Sequence, residues 1–300
     1  MLAEVLAAIR PRAGGCYADG TVGGGGHAAA ILKESAPDGW LYGCDRDEIA
    51  VAAAISRLAE FRGRFEIRLG KFSEIPGWVE PSSCDGVLLD LGVSSPQLDQ
   101  PERGFSFQRE GPLDMRMDRR QTLTAAQLIN ERSADELARI FWELGGEREA
   151  RRIARGIERE RRMKRLESTR ELTGLIERLA PRRGQRLHPA TRVFQALRVV
   201  VNDELAALRQ GLAAVWKLIK PGGRIAVITF HSLEDRIVKD FGRTLARDYA
   251  VEGEIDVPEL RRSRAPELRW VYRKAIAPAP GEVNENPRAR SAQLRVMERI

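Results

Sequence analysis

Cysteine is scarce in this chain. Among 300 residues there are three, Cys16, Cys44 and Cys84, and no CxxC pair. An odd, widely spaced set argues against a disulfide framework, and each lies in or beside an apolar strand-like run, as buried reduced thiols do. Histidine is equally rare, with His27, His188 and His231 alone. No Cys/His cluster has the spacing of a structural zinc site, so no metal is expected. No apolar run reaches the roughly 18 residues of a membrane span. The N-terminal stretch MLAEVLAAIRPRAGG carries Glu4 and lacks a small-residue cleavage pattern. It reads as a helix rather than a signal peptide, and the expected location is the cytoplasm.

What is present suits a folded protein of one large domain or two ordinary ones: 43% apolar and 31% charged residues. The net charge of +7 leans weakly toward polyanionic partners. Its distribution says more. The segment EREARRIARGIERERRMKR, 147–165, sets eight arginines and one lysine against four glutamates. Such a run is either a solvated helix face laced by i,i+4 pairs or a phosphate-contacting surface.

Strand and helix patterns alternate through the first part. GCYAD (15–19), WLYGCD (40–45), FEIRLG (65–70) and CDGVLLDLG (84–92) read as strands, the last buried on both faces. HAAAILKES (27–35) and EIAVAAAISRLAEF (48–61) read as helices. This repetition predicts an α/β fold with a mostly parallel sheet and right-handed crossovers. From about Arg103 to Arg186 the strand signal disappears. Helices are expected there, with Thr124 and Ser133 as N-caps and Pro181 as a stop. The α/β pattern then resumes: one long helix or two over 190–219, a KPGG turn, a buried strand RIAVITF (224–230) and a following helix. LRWVYRKAI (268–276) and AQLRVMERI (292–300) would form a closing antiparallel pair, with a polar loop between them. The predicted organisation is 1–102 and 188–300 as one interrupted domain, with 103–187 as an all-helical insertion.

Four consecutive glycines sit between the first strand and its helix, in YADGTVGGGGHAAAILKES. A glycine-rich turn there brings backbone N–H groups close to a ligand, and an acidic residue about 20 positions on binds ribose hydroxyls. Asp45 lies 20 residues after Gly25. A nucleoside-containing cofactor is therefore expected. A helix, then P-G-G, a strand and an antiparallel pair favour S-adenosylmethionine over a nicotinamide dinucleotide.

The stretches ADGTVGGGGH, GVLLDLGVSSPQLDQPERGFSFQREGPLDMRMD, HPATRVFQALRVVVNDEL, GGRIAVITFHSLEDRIVK and NPRARSAQLRVMER carry a resemblance. Together, and in this order, they resemble the bacterial small-subunit ribosomal RNA cytosine-N4 methyltransferases, the MraW family, along essentially the whole chain. One departure is at the start, where the family usually has a few residues, including a histidine and a Pro-Val, ahead of LAEVL. The resemblance implies a class I methyltransferase fold and methyl transfer from S-adenosylmethionine to a cytosine N4 amine in the decoding region of 16S rRNA. The partner would be that RNA, within an assembled or assembling small ribosomal subunit, held by the insertion and by basic loops that include Arg288 and Arg290.

By the same resemblance Gly25, Gly26, His27, Asp45, Phe72, Asp90 and Gln97 are cofactor-binding residues. Three of them have a plainer alternative: helix-start packing for His27, a cap for Asp45, ordinary core for Phe72. Asp19 would reach the methionine ammonium or brace the loop. Asp90, Ser94, Ser95 and Pro96 are the catalytic candidates, because an amide-like amine needs acceptors aimed at its N–H atoms and a rigid loop to orient it. Pro96 is expected to hold Ser94 and Ser95 in an extended loop. His188, Arg192 and His231 are substrate-side candidates, with pinning of the domains or helix-start packing as the alternatives. Two other functions fit less well: a non-catalytic RNA-binding assembly factor, opposed by Gly25, Gly26, Asp45 and Asp90, and a DNA amino-methyltransferase, opposed by SSPQ.

Overall fold

The computed structural model of the chain describes residues 1–181, 187–252 and 255–300, and of Ser95 the backbone alone. The chain divides into two compact units, Met1–Gly92 with Leu205–Ile300, and Val93–Glu204.

The first unit begins with helix α1 (Leu2–Ile9), then β1 (Cys16–Asp19), α2 (Gly26–Glu34), β2 (Trp40–Asp45), α3 (Glu48–Arg57), β3 (Phe65–Leu69) and β4 (Cys84–Asp90). Strand β4 is the apolar run GVLL with its flanks, buried along nearly its whole length, as a strand covered on both faces must be. Alternate residues serve opposite faces. Val87 and Leu89 join a cluster with Ala18, Leu212 and Val227, whereas Leu88 packs with Ile9, Ile31 and Ala226.

The second unit is helical: α4 (Ser95–Asp99), α5 (Ala125–Glu131), α6 (Ala134–Gly145), α7 (Ala150–Met163), α8 (Thr169–Leu179) and α9 (Ala190–Val201). Thr124 and Ser133 cap α5 and α6, each in a reciprocal box with the Gln or Glu three residues on. The core joins Leu128, Phe141, Ile153, Ile157, Ile176, Phe194 and Leu197. The irregular stretch before α5 is tied down by polar groups. The Asn202 amide oxygen accepts from Met117 N at 2.7 Å and its NH2 donates to Met115 O at 2.8 Å. The buried Arg103 guanidinium donates to Arg116 O and Met117 O.

The first unit then resumes with α10 (Glu204–Trp216), β5 (Ile219–Thr229), α11 (Ser232–Ala246), β6 (Tyr249–Val251), β7 (Arg261–Ser263), β8 (Leu268–Trp270), α12 (Pro280–Glu285) and β9 (Gln293–Arg299). Its main sheet has the order β3-β2-β1-β4-β5-β9-β8. Pairs among β1 to β5 are parallel, and β9 runs antiparallel to both β5 and β8. This is the sheet of a class I methyltransferase. The order reverses between β1 and β4, which puts a ligand crevice at their carboxyl ends.

Several expectations need correction. The helical segment does not stop at 187: the apolar face of α9 packs into the helical core, and the units part at Gly92/Val93 and Glu204/Leu205. Of the one helix or two expected over 190–219, there are two, as allowed, separated where Asp203 takes φ +49°. KPGG is not a turn ahead of the strand but a bulge inside β5, with Cys84 paired to Ile219 and Gly86 to Arg224. Strand β8 covers only 268–270, and Ile276 keeps one isolated bridge to Leu294. The polar loop holds α12 and a short 3-10 turn, Pro287–Ser291. The stretch 182–186, expected at the end of the insertion, lies outside the described residues. Among the described residues, no helix is long and apolar enough to cross a membrane.

Candidate functional site

The glycine loop leaves β1 at Asp19 and enters α2 at Gly26. Its path is set by bonds to the two strands that flank β1, β2 and β4. Gly20 N donates to Leu88 O, Val22 N to Cys44 O, and Gly23 N to the Asp45 carboxylate at 2.9 Å. Thr21 Oγ1 accepts from Asp90 N at 2.6 Å. The loop therefore bridges the ends of β1, β2 and β4, where the crevice lies. Gly25 answers a local need as well as any ligand: its φ is +78°, and a Cβ there would lie 3.1 Å from Ala54 Cα of α3. Gly26 is less constrained, since an added Cβ would meet only the tip of Arg57 at 3.4 Å.

Three carboxylates and one imidazole converge around this loop. Asp19 is 1% exposed and accepts from Thr21 N at 3.0 Å. Burial lifts its carboxyl to about 7, against the opposing charge of His27. Asp45 accepts from Gly23 N and, through its other oxygen, from Asp47 N at 2.9 Å. Burial raises it too, more than those two amides lower it. His27, in the first turn of α2, sets its Nε2 3.4 Å from Asp90 Oδ2. Burial disfavours the imidazolium, but the hydrogen bond to Asp90 and the charges of Asp90 and Asp19 outweigh it, so the His27 pKa is raised. Among the described residues, two buried polar atoms of this cluster have no partner: His27 Nδ1 and Asp90 Oδ1. An unpaired buried acceptor is costly, and in a cleft it marks where a ligand's donor belongs.

The other expected residues fall in different surroundings. Phe72 is 8% exposed, and its ring fills the space a Cβ on Gly211 would need, 1.8 Å away. It packs with Ile75, Leu208 and Leu212. His231 caps α11: its Nδ1 accepts from Glu234 N, and Glu234 reaches back to Phe230 N and His231 N. Ser232 is the first helical residue.

The remaining candidates belong to the helical unit. Ser94 is the N-cap of α4, accepting from Gln97 N while Gln97 Oε1 accepts from Ser94 N. SSPQ is thus the first turn of a helix, not the extended loop expected. Proline is tolerated there because the first turn needs no N–H. Pro96 is exposed, and the side chain of Ser95 lies outside the described set. His188 stacks on Phe107 at 4.7 Å, accepts from Ala190 N at Nδ1 and meets Glu177 at 2.9 Å through Nε2. Both its ring nitrogens are engaged inside the unit. Arg192 is half-buried, and its backbone carbonyl lies where a Cβ on Gly145 would be 2.4 Å away. Thr21 was missed; its signal is its position in ADGT, directly after the first strand.

The family model described as the MraW methylase family matches residues 1–300. A protein from Syntrophotalea carbinolica named ribosomal RNA small subunit methyltransferase H is 50% identical, over 99% of this chain and 96% of its own. One of the same name from Magnetococcus marinus is 47% identical, over 100% of this chain and 97% of its own. The chain belongs to the MraW methylase family.

As a member of that family the protein uses S-adenosylmethionine as its methyl donor, and the MraW site fits this cofactor on its own terms. The cofactor carries a sulfonium and an ammonium. Asp19, Asp45 and Asp90 offer three carboxylates against one imidazole, and Asp90 Oδ1 is an unspent acceptor. Asp45 closes β2 beside the glycine loop, the position from which an acid reaches ribose hydroxyls.

Proposed function

We propose that this protein methylates the exocyclic N4 amine of a cytosine in the decoding region of 16S rRNA, within an assembled or assembling small subunit. The observation that carries the reading is the Asp90 carboxylate at the end of β4, with one oxygen facing His27 and the other buried without a partner. The relatives' name supplies the small-subunit rRNA; the amine chemistry is argued from the acceptor.

The bound cofactor supplies an electrophilic methyl group on sulfur. The chain's residues do the rest. Asp45 holds the ribose, while Gly25, Gly26 and the start of α2 shape the loop. Asp90 Oδ1 takes a hydrogen bond from the amine N–H, which favours a pyramidal nitrogen, and accepts the proton that the nitrogen loses as the N–C bond forms. His27 is a positioning residue that fixes Asp90 through its other oxygen. The base is splayed from its stack to enter the site. Asp19 and Thr21 brace the loop, and Ser94 with Gln97 shapes the turn that begins α4. Pro96, Phe72, His188, Arg192 and His231 act through local structure in this scheme.

Nucleoside mass spectrometry of 16S rRNA from cells with and without the gene tests the reading. An N4-methylcytidine signal that disappears with the gene, and returns with the unmodified protein but not with Asp90→Asn, is expected. An unchanged nucleoside profile would overturn it.

A further inference from the structure

The basic run in the helical unit is only partly laced by its own i,i+4 pairs: Arg162 meets Glu158 within α7, while the arginines of its first half lie along a groove. Helices α6 and α7 line a cavity of about 1120 Å³ with Leu179 of α8. Arg139 and Trp142 come from α6, and Arg151, Arg152, Arg155 and Arg159 from α7. On α7 these arginines recur at helical spacing on the side away from Ile153 and Ile157, which are buried in the core. Gly156 lets α8 close in beneath: a Cβ there would be 2.1 Å from Leu179 Cδ1.

The charge in this cavity is unspent. Arg162 faces Glu158 at 3.8 Å, Arg178 faces Glu160 at 3.7 Å, and Arg161 donates to Ile129 O and Arg132 O. The glutamates within α7 are thus committed elsewhere. Among the described residues, none of the six guanidinium groups lining the cavity, that of Arg148 included, makes an ion pair or a hydrogen bond. Of the described residues that line the cavity, Asp135 and Glu149 are the acids that oppose them. In their midst Trp142 is 61% exposed, a large indole face left in water.

We propose that this groove is a subsite for single-stranded RNA, in which one base stacks on Trp142 and the flanking phosphates lie on the arginines. Phosphate takes the guanidinium fork in two parallel bonds. Every unpaired base offers a π-face to an exposed aromatic ring, and arginine beside that ring adds cation–π attraction. A duplex hides its base faces and leaves the indole uncovered. An acidic peptide would satisfy the arginines but not the indole. The inference rests on the RNA-methylating reading and deepens it: the substrate is gripped through an unpaired segment apart from the base that reacts.

The test uses the full chain and three probes: a labelled single-stranded RNA dodecamer, the same sequence as a duplex, and polyglutamate. The expected result is preferential binding of the single strand, with quenching of a tryptophan emission component that Trp142→Ala lacks. Trp142→Ala should weaken single-strand binding roughly tenfold, and Trp142→Phe should restore most of it. Arg155→Ala with Arg159→Ala should flatten the log–log salt dependence by about 0.7 per lost phosphate contact, while S-adenosylmethionine affinity stays as in the unmodified protein. Equal binding of single strand and duplex with no effect of Trp142→Ala would overturn the proposal, as would polyglutamate displacing the RNA from every variant alike. The two readings fail separately. If the rRNA mark is present but the Trp142 and arginine variants bind and methylate normally, the groove proposal falls alone. If the mark is absent while RNA still binds through Trp142, the methylation reading falls and the groove stands.

Discussion

His27 Nε2 stands 3.4 Å from Asp90 Oδ2, while Asp90 Oδ1 has no partner among the described residues. One oxygen is anchored and the other is presented. That asymmetry gives the carboxylate a fixed direction among the side chains of Asp19, Asp45 and His27.

Asp90→Asn keeps the size of the group but removes the base. Single-turnover methylation at saturating cofactor is expected to fall at least about a hundredfold, within the range of a positioned proton acceptor. His27→Gln should fall less, because it disturbs direction alone. Ser94→Ala is expected to cost about 1 kcal/mol of stability as a lost cap, with a rate within tenfold of normal. A Ser94→Ala rate as low as that of Asp90→Asn would move the chemistry to the start of α4.

Asp19 makes stability depend on pH. Its folded carboxyl sits at about 7, against about 3.9 in an unfolded chain. Between those values the folded state binds a proton that the unfolded state releases, so stability is greatest below the window and is lost as pH rises through it. The raised pKa of His27 acts in the same direction, its contribution being present below about 6.5 and lost above its folded value. Thermal melts of cofactor-free protein should therefore show a lower melting temperature at pH 8 than at pH 5. Asp19→Asn should shrink that difference; an Asn variant with an undiminished difference would clear Asp19 of the effect.

Binding a cation reverses the sense of that proton. S-adenosylmethionine should bind more tightly as pH rises through about 7, with proton release near neutrality. Calorimetry in two buffers of different ionisation enthalpy measures the release directly. Proton uptake, or none, would show that Asp19 does not face the ligand's charge.

Asp45→Ala should weaken S-adenosylmethionine binding by roughly 2–4 kcal/mol, from lost charge-assisted bonds and an unpaired ribose. Because Asp45 also holds Gly23 N and Asp47 N, the loop itself should loosen, seen as faster amide exchange at Gly23. Unchanged affinity by calorimetry would remove Asp45 from the site.

Asn202 is buried and bonds the backbone of Met115 and Met117. Asn202→Ala strands both groups and should cost on the order of 2–4 kcal/mol, read as a lower denaturation midpoint. A loss under about 0.5 kcal/mol would mean that the 103–121 stretch is held by Arg103 instead.

The order of strands and helices, the caps at Thr124 and Ser133, and the glycine turn with Asp45 were legible in the residues, because apolar period, capping chemistry and bare backbone are local properties. So was the family, since long motifs occupy most of the chain. What local pattern could not carry was partnership across distance. SSPQ reads as a proline-stiffened loop until Gln97 is seen folding back on Ser94 as a helix cap. The 190–219 run reads as one helix or two, and only packing of Phe194 and Leu197 into the helical core assigns α9 to the second unit. The direction of Asp90 and the lift of Asp19 come from burial and from neighbours tens of residues away. Likewise the sequence counts the arginines of α7, but only the fold shows that Glu158 and Glu160 are turned to other partners, leaving Arg155 and Arg159 beside Trp142 with their charge unmatched.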